Sequence, residues 1–289
     1  MKNYLLISFA FLQYICYGQQ KVVPKTDFNT LFICIDSISY NQLYQSKYIK
    51  DTLFLCKEAH QETNTDSYTG KYLIGESSTI EFFKPKNSHQ TGNHFGDWGI
   101  EFKTRKIHTL NEIIQQSKRL GYGIDTSTTN FIEDSLLIHW YQSLVFKNLK
   151  SELSVLEYQE EFLLYLGFTK KQIQQSMSFK EYNSFLSGGK KYPRQFARVT
   201  YIQLYADKKT VENLKKFAKL NNCSITKNKI ANNETTIEYT PVEKLPEFPI
   251  QKIEVSLFNE QKFRIEKISE NLYLEVNSKK ATLLFKNNN

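Results

Sequence analysis

The sequence predicts an α+β fold built on a β-α-β-β-β module that occurs twice, over Phe28–Phe83 and Trp98–Glu157, ahead of a C-terminal α+β portion. Three observations carry this. Short runs with period-two alternation, rich in β-branched and aromatic residues, outnumber helical stretches. One helical pattern follows the first strand of each module. The same order restarts at Trp98, after the polar loop Pro85–Gly96. The two copies share almost no identity, so the repeat is one of pattern.

Phe28–Asp36 (FNTLFICID) reads as the first strand. Leu31, Ile33 and Ile35 form one face, to pack under a helix, and Thr30, Phe32, Cys34 and Asp36 form the other. Ser39–Cys56 reads as a helix, because Tyr40, Leu43, Tyr44, Tyr48 and Leu53 recur at near-helical spacing. Ala59–Asp66 supplies a second strand, and Tyr68–Gly75 and Thr79–Phe83 two more across a tight turn. In the second module Trp98–Phe102 is the strand and Thr109 the helix cap, with Glu112 completing a capping box. Leu110, Ile113, Ile114, Ser117 and Leu120 line one face of that helix, and Gly121 ends it. Strand-like runs follow at Ile124–Ile132, Leu136–Phe146 and Leu153–Glu157.

Leu163–Leu186 is helical, interrupted near Ser178, which caps a second helix with Glu181. Phe196–Ala206 is a strand, and Val211, Leu214, Phe217 and Ala218 mark the face of a helix. Ser224–Lys229 and Thr235–Thr240 predict a hairpin. Pro241–Pro249, with three prolines, reads as an extended linker. Four short strands close the chain: Ile250–Leu257, Phe263–Ile268, Leu272–Val276 and Ala281–Phe285. The expected organisation is a leader over 1–18, a two-module domain over 19–165, a helical connector over 166–190 and a C-terminal portion over 191–289.

Met1-Lys2-Asn3 gives a positive start, Tyr4–Ile15 an apolar run of secretory length, and Cys16-Tyr17-Gly18 small residues at a cleavage site. That pattern predicts a signal peptide cleaved after Gly18 and an exported chain, periplasmic or extracellular, beginning at Gln19. A lipoprotein anchored through Cys16 is disfavoured by the bulky Tyr14 and Ile15 before it. No later stretch is apolar enough for a membrane span. The net charge of +8 comes from scattered lysine doublets interspersed with acids. It reads as a solvated surface, and no nucleic-acid partner is expected. Cys34, Cys56 and Cys223 remain after cleavage. Buried inert thiols are the simpler reading, with a Cys34–Cys56 bridge left open.

Two tandem β-α-β-β-β modules resemble the vicinal-oxygen-chelate superfamily of glyoxalases, extradiol dioxygenases and bleomycin-resistance proteins. Phe28-Asn29-Thr30-Leu31, Gly96–Phe102 with the capped helix after it, and Leu156-Glu157-Tyr158 carry the likeness. Ser67–Gly75 with Thr79–Phe83 is similar to an uncharacterised bacterial family within it. The resemblance implies two half-cups facing each other. It also implies a metal between them, held by the first and last strands of each module and commonly by two His and two Glu. Carried over, these positions are Thr30, Glu81, Gly99 and Glu157. Both histidine positions, Thr30 and Gly99, lack imidazole, so no typical catalytic metal and no cofactor is expected. Independently, Glu81 shares a strand face with Thr79 and Phe83, and a carboxylate there needs a partner, a raised pKa or a ligand. Of the histidines, His89 and His94 fall in the polar loop and His108 precedes a helix. His60 lies on a strand, and His139 lies on the Leu136–Phe146 strand, able to face the cup.

The candidate ligand-binding set is Thr30, Phe32, Tyr72, Glu81, Gly99, His139 and Glu157. The first reading is a small-molecule-binding protein. The alternatives are a metal-dependent lyase, isomerase or dioxygenase using Glu81 and Glu157, or an interaction module. Oligomeric state is not readable from the sequence.

Overall fold

Strand β1 (Thr26–Cys34) lies at the centre of an eight-stranded sheet. The computed structural model describes residues 23–64, 66–86, 92–133 and 136–286. The leader with Cys16 and Gly18, and the loop histidine His89, lie outside the described residues. The first module continues through α1 (Ser37–Gln42), a π-helical turn (Tyr48–Leu53), β2 (Leu55–Glu62), β3 (Ser67–Ile74) and β4 (Thr79–Phe83). The second consists of β5 (Trp98–Thr104), α2 (Thr109–Arg119), β6 (Asp125–Glu133), β7 (Leu136–Asn148) and β8 (Ser151–Tyr158). In each, the first strand pairs in parallel with the last: β1 with β4, β5 with β8. The modules join through antiparallel β1 and β5, giving the order β2-β3-β4-β1-β5-β8-β7-β6. This is the α+β architecture of tandem β-α-β-β-β modules that the sequence predicts.

The first helix is shorter than its periodicity suggests. The Asp36 side chain caps α1, accepting from the Ser39 N–H at 2.8 Å. The Ser46 hydroxyl accepts from the Ile49 N–H at 3.3 Å, which starts a separate turn. Leu43, Ile49 and Leu53 are still buried together, so the periodicity reported the core contact while a local hydrogen bond split the helix.

Three more helices, α3 (Glu160–Tyr165), α4 (Lys170–Ile173) and α5 (Phe179–Leu186), connect to the C-terminal portion. The reciprocal Ser178–Glu181 capping box forms. Asp27 of β1 accepts from the Phe179 N–H at 2.9 Å and pairs with Arg105 at 2.6 Å, tying α5 to the sheet.

The C-terminal portion is a third β-α-β-β-β module. It comprises β9 (Phe196–Ala206), α6 (Lys208–Leu220), β10 (Ser224–Ile225), β11 (Lys229–Ala231) and β12 (Thr236–Pro241). Strand β12 pairs in parallel with β9, as β4 does with β1. Strands β10 and β11 have two and three residues, too short for alternation to register, hence the expectation of a single hairpin. The four expected closing strands are two, β13 (Ile250–Lys267) and β14 (Leu272–Phe285). Register shifts between Ser256, Gln261 and Arg264 break the alternation without ending the pairing. Antiparallel β9 and β13 repeat the β1–β5 joint.

One core joins both sheets. Phe102 of β5 meets Phe217 of α6 edge-on at 4.9 Å, and Phe54 meets Phe196 at 5.3 Å. Cys34, Cys56 and Cys223 are free thiols, and burial pushes each up to about 12, where it stays protonated and unreactive. No helix among the described residues is long and apolar enough to cross a membrane.

Candidate functional site

The eight-stranded sheet curls until its two edges meet. Thr63, just past β2, bridges Phe131 of β6, and the Asn64 N–H donates to the Asn130 carbonyl at 3.1 Å. The Asn130 N–H donates in return to Asn64 Oδ1 at 2.9 Å. The cup is thus closed along one side. It encloses a cavity of about 520 Å³ whose lining includes Phe32, Tyr68, Glu81, Phe83, Glu101 and Tyr141. Ser127, Thr129, Ser143, Lys147, Glu152 and Ser154 complete the far wall. Gly92 and Asn93, from the loop before β5, also line it. The buried Asp97 holds that loop, accepting from the Gly92 and His94 N–H groups at 3.0 Å each.

Strand alternation sets which side chains reach the cavity. On β4, Glu81 and Phe83 point inward while Ile80 and Phe82 are fully buried on the helix side. On β5, Glu101 points inward and Ile100 and Phe102 outward. On β8, Glu152 and Ser154 line the cavity. Glu81 stands level with Phe32 of β1, and Glu101 level with Thr30, so the two carboxylates flank β1 two residues apart in register. The surface these two glutamates keep faces the cavity, and both carboxyls lie deep in the protein. Burial raises Glu81 to about 7. Burial, then repulsion from Glu81 and Glu152, holds Glu101 well above the usual carboxylate range. Glu152 is also raised by burial, partly offset by Lys147 at 3.9 Å. Asp66 at the rim is matched by Lys86, whose Nζ lies 2.9 Å from both carboxylate oxygens. Glu81 and Glu101 have no hydrogen-bond or ion-pair partner among the described residues.

Of the seven residues singled out in the sequence, Phe32 and Glu81 line the cavity. Gly99 lies beneath the Phe32 ring, its cross-strand partner. A Cβ on Gly99 would stand 2.1 Å from Phe32 Cε1 and 2.8 Å from the Glu152 carbonyl oxygen. Gly99→Ala is therefore expected to destabilise the protein by about 2 kcal/mol, since the ring must leave its position. Phe32→Leu should recover part of that loss, as read by denaturant unfolding of the double variant. Thr30 is buried in the sheet and does not reach the cavity lining. Tyr72 stands opposite Glu81 on β3, and its hydroxyl lies over Gly70, 3.0 Å from where a Cβ there would be.

Two of the seven point elsewhere. Glu157 faces the helix side, because Glu152 and Ser154 take the inward positions of β8 and period two puts residue 157 opposite. It accepts from the His108 N–H at 2.7 Å, the Leu110 N–H at 2.8 Å and the Thr104 hydroxyl at 3.1 Å. It therefore supplies the cap of α2 that was expected from Thr109; His108 is the N-cap residue, at φ 69°, and has no side-chain cap of its own. Glu112 pairs instead with Lys25 at 2.9 Å. His139 is exposed and pairs with Glu161 of α3 at 2.8 Å. The β6–β7 register skips Trp140, and that bulge reverses the alternation on which an inward His139 depended.

Glu101 and Glu152 were missed. Both could have been found from parity, since Glu101 sits between the apolar pair Ile100 and Phe102. A metal in the superfamily's usual place does not fit these residues. Gly99 has no ligand atom and its space is filled by a phenyl ring, Thr30 is out of reach, and Glu157 faces away. Among the described residues no group of three or more His, Cys, Asp or Glu is placed to hold a metal ion.

The model of a family described as a family of unknown function (DUF5829) matches residues 28–285. No curated protein matches the sequence. Among solved structures, one resembling it is a xylose isomerase-like TIM barrel/4-hydroxyphenylpyruvate dioxygenase fusion protein, at 9% identity and TM-score 0.41, covering 81% of this chain and 36% of that one. A second is the Mn(II)-bound glyoxalase from Novosphingobium aromaticivorans, at 7% identity and TM-score 0.40, covering 79% and 63%. A third is the 2,3-dioxygenase LapB from Pseudomonas sp. KL28, at 8% identity and TM-score 0.41, covering 87% of each chain. The chain spans less than two thirds of the first two. These solved structures are glyoxalase- and dioxygenase-type vicinal-oxygen-chelate folds.

Proposed function

This chain belongs to the DUF5829 family, and we propose that it binds a small molecule inside the closed cup without the superfamily's metal. The cavity of about 520 Å³ carries this reading. Its size is that of small-molecule sites, and its wall mixes aromatic rings with a few convergent polar groups. A structural or interaction module has no need of a cavity lined by two half-buried carboxylates without a partner among the described residues. Native mass spectrometry of protein purified from its own host, with and without denaturing extraction, tests the reading. A co-purifying small molecule lost from Ser127→Trp, which crowds the wall, is the expected result. Ligand retained in that variant counts against it.

A second reading is acid–base chemistry on the bound molecule. Its motive is Glu81, raised to about 7 and beside Glu101, a pairing suited to hold and pass one proton. In that case the pair would be Glu81 and Glu101, with Glu157 taking no part. We also propose export, on the pattern of residues 1–18. N-terminal sequencing of protein from the native host should begin at Gln19; a retained Met1 or a lipid on Cys16 would refute it.

A further inference from the structure

We infer that the ligand of the cup is an organic ammonium cation, held by Glu81 and Glu101 against an aromatic wall. The inference rests on the reading of the cup as a ligand site and names the chemistry that site selects.

The charges lining the cavity do not balance. Asp66 is neutralised by Lys86 at 2.9 Å, and Glu152 faces Lys147 at 3.9 Å. Glu81 and Glu101 face no cation among the described residues. Burial raises both, Glu81 raises Glu101 further, and both residues line the cavity. Protein interiors do not keep two such groups without compensation, so their ordinary fate is a partner or a proton. Among the described residues the fold offers no partner, and both glutamates line the cavity, from which a ligand can reach them. An anionic ligand would raise all three glutamates further, whereas a cation favours their ionised form.

The rest of the wall says which cation. A small hydrated metal ion needs several oxygen ligands converging at short range, and no such cluster exists among the described residues. Four rings, Phe32, Tyr68, Phe83 and Tyr141, share the wall with the carboxylates. Phe83 packs edge-on against Phe32 at 6.4 Å and against Tyr68 at 5.6 Å. Tyr141 faces the cavity from β7, with its hydroxyl bonded to Thr129. Aromatic faces beside carboxylates are the recognition chemistry of weakly hydrated alkylammonium groups, which gain from ring quadrupoles and from charge together. Two carboxylates flanking β1 suit a ligand with two cationic centres, or one centre shared between them. The hydroxyls of Ser127, Ser143 and Thr129 leave room for the polar end of a longer chain.

The test is calorimetric titration of the full chain at pH 8 with cadaverine, spermidine and choline. Its controls are 1,5-pentanediol, the neutral counterpart of cadaverine, and glutarate, the anionic one. At least one ammonium probe should bind tenfold or more tightly than the diol and glutarate. Glu81→Gln and Glu101→Gln should each weaken that binding tenfold or more. Both variants are expected to fold at least as stably as the parent, so lost binding is not lost fold. Absence of binding by all three ammonium probes overturns the inference, as does binding unchanged in both variants. A neutral compound that binds as tightly, and is lost in Ser127→Trp, overturns the cation and leaves the small-molecule reading standing. A manganese or calcium ion that binds in place of the amines, and is lost in Glu81→Gln, also overturns it.

Discussion

Glu157→Ala is expected to lower stability by about 3 kcal/mol, one of two opposite effects that glutamates produce in this protein. The carboxylate is buried and accepts from two backbone N–H groups and the Thr104 hydroxyl. Removing it strands the first N–H groups of α2 in a place water cannot reach, and removes a negative charge from the positive end of the helix dipole. Glu157→Gln keeps the shape and one acceptor oxygen but turns an amide donor toward donors, so it should lose about half as much. The measurement is urea unfolding at pH 7, with ligand titration alongside. Binding in the cup should be unchanged in both variants. Stability equal to the parent would show that the cap contributes nothing, and a change in ligand affinity would return Glu157 to the cup.

The expected site failed at Glu157 for an instructive reason. Its place in Leu156-Glu157-Tyr158 matched a superfamily ligand position, whereas period two, counted from Glu152 and Ser154, puts it on the other face. Parity within a strand is a physical constraint, and a motif match across remote relatives is not. Parity itself fails at His139, because the extra residue Trp140 in β7 is invisible until β6 is placed beside it. The same limit explains the C-terminal portion. Strands β10 and β11 are defined by their hydrogen-bonded neighbours and not by any pattern of their own, and the long β13–β14 pair runs through shifts that look like ends. By contrast, the module order, the Ser178–Glu181 cap and the inward Phe32 and Glu81 all rest on signals within a few residues, and all were legible. Closure of the cup was not, since the Asn64–Asn130 contact joins segments that share no local signature.

Glu81→Gln is expected to raise stability at pH 8 and leave it unchanged at pH 4, in protein free of ligand. The folded-state value of Glu81, about 7, lies above the ordinary 4.5. Between those values the folded protein binds more protons than the unfolded chain, so stability is greatest below about 4.5 and falls as pH rises through 7. The full difference is about 3 kcal/mol, or roughly 6–12 °C in Tm for a chain of this size. A neutral amide removes that dependence. The groups that face Glu81 shape the outcome: Glu101 on β5, Glu152 on β8, Tyr68 and Tyr72 on β3, and Tyr141 on β7. None of these is a cation, each tyrosine is itself held protonated by burial, and the one lysine among the described lining residues, Lys147, pairs with Glu152. Because Glu81 and Glu101 repel each other, removing either relieves both, and the double variant should gain less than the two singles added together. Thermal melts across pH 4 to 8 decide this. A parent protein whose stability does not fall over that range, or a Glu81→Gln variant less stable than the parent at pH 8, would mean that the carboxylates are paired within the fold. In that event the unbalanced charge that calls for a cationic ligand would not exist.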